Sequence, residues 1–253
     1  MSVLLVVAGD APSSGLISLG PAAVVPAGSS GGVWVPRFAE EFDGDGLEPS
    51  RWENGFGWGL SSNNTFGYCD PDHNRVVDGV LVQHIERRAQ GGKPFSVGCI
   101  NTKDRFSQLY GYWEVRLRAA PCPGARAAFW GKPADESWPP ELDVIEVHGD
   151  ERHVARLSAH WREGRRIVRS RGGWAGPDLS AGWHTFGAEW SPTEVVWYVD
   201  GVARRRLQRG ATYLDDGGAF YVILNAQVYL ASSTCGEAGS TQLVDHVRVW
   251  SRP

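Results

Sequence analysis

The six residues Glu141-Leu142-Asp143-Val144-Ile145-Glu146, led in by Trp138-Pro139-Pro140 and closed by Val147-His148-Gly149, constrain this chain more than any other stretch. Side chains alternate between the faces of a strand, so Glu141 and Asp143 point one way while Leu142 and Val144 point the other. Strict alternation would then set Ile145 beside the acids and drive Glu146 into the apolar face. One extra residue near Val144 and Ile145, a β-bulge, returns Glu146 to the acidic side, and bulges are common beside active sites. The spacing predicts a bulged strand with Glu141, Asp143 and Glu146 on one face and an apolar layer on the other.

Neither a helix nor an ordinary core asks for three like charges on one face. Cleavage of a glycosidic bond with retention does, because it needs a carboxylate nucleophile and a second carboxyl that first donates and then accepts a proton, about 5 to 5.5 Å away. Crowding helps, since a neighbouring negative charge raises the pKa of the group that must stay protonated. A solvated acidic edge strand would also carry acids, but not the apolar residues interleaved with them here.

From Val33 onward short runs alternate between turn signals, with no helical period across most of the chain. In Gly111 to Arg118, Trp113, Val115 and Leu117 make an apolar face and Tyr112, Glu114 and Arg116 the opposite one. Asp200-Gly201, between Val195–Val199 and Val202-Ala203-Arg204, is a hairpin turn. In Phe220 to Val228, Asn225 and Gln227 share a face and are expected to reach a cleft. These patterns predict one large all-β domain over residues 33–253. Residues 1–32 read as an extension or linker, since Val3 to Ala8 is too short to span a membrane and makes a poor secretion signal, and Pro, Gly and Ser are frequent from Pro12 to Gly32. They could be a remnant of a signal or of an upstream module.

A net charge of -4 and an isoelectric point near 6.0 argue against nucleic acid or an anionic membrane as partner. The 12 Trp, with 32 Gly and 15 Pro, suit a strand-and-turn protein that stacks aromatic rings on a flat ligand, with more than half of the Trp expected in the core. No cluster has zinc or iron ligand spacing, and no phosphate-binding glycine loop follows a strand.

The pattern Glu141-x-Asp143-x-x-Glu146 resembles the signature of glycoside hydrolase family 16. Ala128-Phe129-Trp130, Trp183 to Trp190, Val196 to Gly201, Phe220 to Asn225 and Val244 to Trp250 are similar to blocks of that family in the family's order, as is Phe38 to Gly44 at its opening strand. The resemblance implies a two-sheet antiparallel β-jelly-roll sandwich of the concanavalin A-like kind with an open concave cleft. It further implies an endo-acting retaining hydrolase of β-glucan, monomeric, with Glu141 as nucleophile, Glu146 as acid/base and Asp143 between them. The acid pattern is similar to laminarinases and the Glu114-Val115-Arg116 strand to lichenases, which leaves β-1,3 and mixed β-1,3-1,4 linkages open. Galactan, agar, carrageenan or a bacterial exopolysaccharide are further substrates of such folds, and transglycosylation or sugar binding without catalysis are alternative activities.

The same resemblance implies sugar contacts for Trp130, Glu114, Arg116, His160 and Asn63. Trp138 could cap the cleft or anchor its loop, and His184 belongs to a block that packs sheets. Catalysis by two carboxyls needs no cofactor, but many members hold a structural calcium ion at an Asp of the final strand. Asp245 matches that position, although an ion pair with Arg248 would explain it equally well. Cys69 and Cys99 are placed like the lichenase disulfide, leaving Cys122 and Cys235 as a second pair, and four cysteines allow three connectivities. An even cysteine count favours an oxidising, extracellular compartment.

Overall fold

The computed structural model describes residues 25–208, 214–236 and 240–253. Among them a ten-stranded sheet comprises β1 (Val35–Glu40), β3 (Gly67–Cys69), β4 (Asn74–Val77), β5 (Val80–Glu86), β6 (Phe95–Val97), β9 (Gly111–Arg118), β14 (His184–Trp190), β15 (Val195–Val199), β16 (Val202–Leu207) and β18 (Ser240–Ser251). An eight-stranded sheet comprises β2 (Glu53–Asn54), β7 (Cys99–Asn101), β8 (Ser107–Gln108), β10 (Ala125–Pro133), β11 (Glu141–His148), β12 (Val154–Glu163), β13 (Arg166–Ala175) and β17 (Phe220–Val228). Its order β13-β12-β11-β10-β17-β7-β2 puts the acidic strand near the middle. The pairings are antiparallel apart from β3 with β6.

Alternation sets the layers. From the ten-stranded sheet Trp113, Val115, Leu117, Phe186, Trp197 and Val247 turn inward, and from the other Phe129, Leu142, Val144, Ile145, Leu157 and Leu224 meet them in one buried cluster. Burying each such side chain is worth about 1.5 to 3 kcal/mol, which makes the inter-sheet layer the main source of stability. Six Trp are buried, namely Trp52, Trp113, Trp161, Trp190, Trp197 and Trp250, so the core takes half of the twelve rather than more than half. The Asp200-Gly201 turn joins β15 to β16 with φ of 50° and 73°, the left-handed geometry a tight hairpin demands.

Part of the outer face of the ten-stranded sheet is polar and covered by residues 25–32. Glu114, 2% exposed, accepts from the Ala27 N–H at 3.0 Å through Oε2, and its Oε1 lies 3.2 Å from His246 Nε2. Tyr112 donates to the Ala27 carbonyl at 2.6 Å, and Ser30 donates to Glu189 at 2.6 Å. Residues 25–32, read as linker from their composition, are thus fastened onto this sheet; residues 1–24 lie outside the described residues.

Cys69 is bonded to Cys99 and Cys122 to Cys235, the two pairs named above. The first ties the strand that roofs one end of the eight-stranded sheet to β7, and the second clips the loop before β10 to the segment after β17. In the chain-entropy picture, closing loops of 30 and 113 residues stabilises by on the order of 3 to 4 and 4 to 5 kcal/mol respectively. Cys99→Ser is therefore expected to lower the melting temperature by roughly 10 °C, measured by calorimetry without reductant. An unchanged melting temperature would contradict this role for the bridge.

Candidate active site

On β11 the register slips by one residue. Phe129 of β10 pairs with Ile145 and Trp130 with Asp143, so Val144 has no partner, and on the other side Asp143 pairs with Ser158 while Glu146 pairs with Arg156. This is the expected bulge. Leu142, Val144, Ile145 and Val147 all enter the core, whereas Glu141, Asp143 and Glu146 line the cleft on the outer face of the sheet. A ring from the opposite sheet holds the bulge from below: Trp197 donates its indole N–H to the Asp143 carbonyl at 2.8 Å. That bond crosses the core from β15, a strand whose sequence marks it only as part of a hairpin.

The three acids have different neighbours. Glu141 Oε2 accepts the Trp138 indole N–H at 2.8 Å, and its Oε1 lies 3.5 Å from His160 Nε2. Asp143 Oδ2 lies 3.2 Å from the same nitrogen, and Glu146 Oε1 is 3.2 Å from Arg126. Burial holds His160 below its ordinary range, so the ring is neutral near neutrality. Facing two carboxyls, its Nε2 carries the hydrogen. Burial, then repulsion by Asp143, pushes Glu141 up to about 8, and burial with repulsion by Glu146 pushes Asp143 well above the usual carboxylate range. The facing pair therefore shares a proton. Asp143 is the better place for it, because Glu141 accepts from Trp138 and its charge is met by that bond, while Asp143 is 4% exposed.

The cleft has a volume of about 1330 Å³ and crosses the sheet from the loop around Asn63 to β13. Asn63, Trp130, Trp138, His160 and Asn225 line it. Trp130 donates to Asn225 Oδ1 at 2.9 Å, which fixes the indole as a platform. His184 bonds Asp200 at 2.8 Å, outside the cleft lining, as its block predicts.

Three residues expected to contact sugar lie elsewhere, and the metal candidate is taken by other partners. Glu114 and Arg116 are on the ten-stranded sheet, where Glu114 is covered by residues 25–32 and Arg116 pairs with Asp245 at 2.9 Å. Alternation identifies a polar face but not the sheet that presents it. Gln227 does share a face with Asn225, but β3 and the Cys69–Cys99 bridge roof it, with its Nε2 3.5 Å from the Gly67 carbonyl and 3.6 Å from Cys99 Sγ. Asp245 Oδ2 is taken by Arg116 and by His246 at 3.1 Å, so these residues do not fit a calcium ion. Arg248 does not pair with Asp245, since it forks onto Glu41 with two bonds of 2.7 Å.

Sequence reading missed Trp58, Arg126, Arg169, Arg171 and Tyr229, all in the cleft lining. Trp58 stacks on Phe56 at 5.0 Å and tilts against Trp130 at 6.0 Å, extending the platform. Its signal was present: the Gly55-Phe56-Gly57-Trp58-Gly59 run, whose glycines all adopt positive φ, marks an aromatic presented by a loop. Among the described residues Glu141, Asp143 and His160 are also the group that could hold a cation, with ligand atoms all within 4.8 Å of one another.

The raised carboxyl has a stability consequence. Together Glu141 and Asp143 keep their shared proton to a higher pH in the folded chain than unfolded carboxyls would, so the native state binds more protons and stability falls as pH rises from about 4.5 to about 8. Glu141→Gln removes this loss. The variant's gain in melting temperature over the parent is expected to grow by a few degrees, roughly, between pH 5 and pH 8. A gain that is equal at both pH values would contradict the burial argument.

Residues 72–242 match the family model described as Glycosyl hydrolases family 16. An endo-1,3-1,4-β-glycanase of Rhizobium meliloti, EglC, is 29% identical over 87% of this chain and 48% of its own length. A second enzyme of that name and organism, ExsH, is 32% identical over 63% of this chain and 34% of its own. The chain thus spans half or less of the length of these relatives. The laminarinase of Rhodothermus marinus superimposes with a TM-score of 0.75 at 25% identity, covering 87% of this chain and 99% of the other. Since the family match takes in most of the sandwich and the whole of the bulged acidic strand, the chain belongs to family 16 of the glycosyl hydrolases.

Proposed function

We propose that this chain is an endo-acting, retaining hydrolase of β-glucan with β-1,3 or mixed β-1,3-1,4 linkages. One observation carries the reading: three carboxyls stand on a bulged strand at the floor of an open cleft that runs from β13 across β12, β11 and β10 to β17. Such a cleft lets a polysaccharide lie across it without an end being recognised. The family and the names of the relatives support the same reaction class.

In this reading Glu141 attacks the anomeric carbon as the bond to the leaving sugar breaks, and Glu146 passes its proton to the leaving oxygen. Glu146, now a carboxylate positioned by Arg126, takes a proton from water, whose oxygen displaces Glu141 with a second inversion. Asp143 keeps its proton towards Glu141, and His160 holds both carboxyls in place. Trp130, Trp58 and Trp138 offer indole faces to the C–H faces of the sugars, and Asn63 and Asn225 offer polar groups to their hydroxyls. These residues need no cofactor for the reaction. We further propose a secreted monomer, a setting that suits the two disulfides.

Reducing-end assays on laminarin, barley β-glucan, agarose and carrageenan should show release from one or both glucans. Glu141→Gln should lose turnover by on the order of 10⁴-fold or more while unfolding cooperatively like the parent. NMR of fresh product should show the β anomer first. Initial release of the α anomer would mean inversion and would remove Glu141 from the role of nucleophile.

A further inference from the structure

The cleft carries charge for which a neutral glucan has no use. β13 forms one edge of the eight-stranded sheet, and its register sets Arg169 opposite His160 and Arg171 opposite Ser158. Directly opposed residues on antiparallel strands share a face, so both arginines stand on the cleft side, and both line the cleft. Two strand spacings, roughly 9 to 10 Å, separate β13 from Glu141 and Asp143 on β11. A group bound there would belong to a sugar near the scissile bond.

The other cleft charges are paired. Arg126 has Glu146, Arg156 has Glu151, Lys132 has Glu136, and Asp150 accepts from Tyr229. Among the described residues Arg169 and Arg171 have no carboxylate at ion-pair distance, although the charge of Arg171 also acts on Asp143 across β12. Arg169 lies over the Trp138 ring at 5.7 Å, and Arg171 is exposed. Charge on an edge strand is a general guard against strand-to-strand aggregation, and Arg166 at the start of β13 needs no other account. That guard does not require two arginines on the cleft side, nor one of them set over the indole that donates to Glu141. A guanidinium so held has less rotamer freedom to lose, and its planar fork matches the two oxygens of an anionic group. Such a group would otherwise be repelled by the acids of β11, and the two guanidiniums offset that repulsion.

We propose that Arg169 and Arg171 form a subsite for an anionic substituent, a carboxylate or sulfate on a sugar bound at the β13 end of the cleft. The enzyme's preferred glucan is then an acidic polysaccharide. This rests on reading the cleft as a polysaccharide site.

Binding to Glu141→Gln, which does not turn substrate over, separates the two claims. The probes are laminarin, carboxymethylated laminarin and sulfated laminarin, followed by titration calorimetry. At about 25 mM salt the variant should bind a charged laminarin about tenfold more tightly than the neutral one, and the ratio should shrink towards one at about 500 mM. Whichever charged probe shows the larger ratio identifies carboxylate or sulfate as the group recognised. Adding Arg169→Gln and Arg171→Gln should remove the ratio. If those changes impair folding, Arg169→Lys with Arg171→Lys, which keeps the charge and loses the fork, should lower it several-fold. A ratio near one in Glu141→Gln, or a ratio that survives both arginine changes, overturns the anionic subsite and leaves the hydrolase reading standing. Failure to bind any of the three laminarins overturns both.

Discussion

Everything in this site depends on one unpaired residue in a ladder. With Val144 unpaired, β11 can send Leu142, Val144, Ile145 and Val147 into the core and still present Glu141, Asp143 and Glu146 on one face. Without the bulge a carboxyl would enter the apolar layer, where an unpaired charge costs several kcal/mol. The core also locks the strand against rotation. The Trp197 N–H on the Asp143 carbonyl fixes the bulge at its acidic turn, so that a residue of the opposite sheet positions the chemistry without touching the cleft.

The acids are held at a cost that the rest of the sandwich offsets. Glu141 and Asp143 are buried beside each other, and both are pushed towards their protonated forms. Displaced pKa values beside a cleft are common at catalytic sites, although buried ion-pair networks displace them too. The inter-sheet core and the two bridges surround the site with rigid structure, so the carboxyls cannot relieve their repulsion by moving apart.

The features legible in the sequence are those in which local pattern and environment coincide. The bulge follows from E-x-D-x-x-E because only one extra residue reconciles acids and apolar side chains, and the Asp200-Gly201 hairpin follows from the demand for positive φ. What pattern alone does not carry is the identity of the neighbour across a face. Tyr112, Glu114 and Arg116 alternate as a cleft strand would, yet residues 25–32 cover Tyr112 and Glu114 while Arg116 pairs with Asp245. Gln227 sits on the cleft face of β17 but beneath β3, a covering made by residues far away in sequence. Arg169 and Arg171 become cleft residues only once β13 is known to pair with β12 in that register. Trp58 belongs to a loop, where no period reports direction.

We propose that the bulge delivers Glu141, and neither of the other two acids, as the attacking group. A 2-deoxy-2-fluoro β-glucosyl oligosaccharide with a good leaving group should trap the covalent intermediate, because the fluorine slows its hydrolysis. Peptide mapping by mass spectrometry is predicted to find the sugar ester on Glu141. An ester on Asp143 or Glu146 would contradict the account.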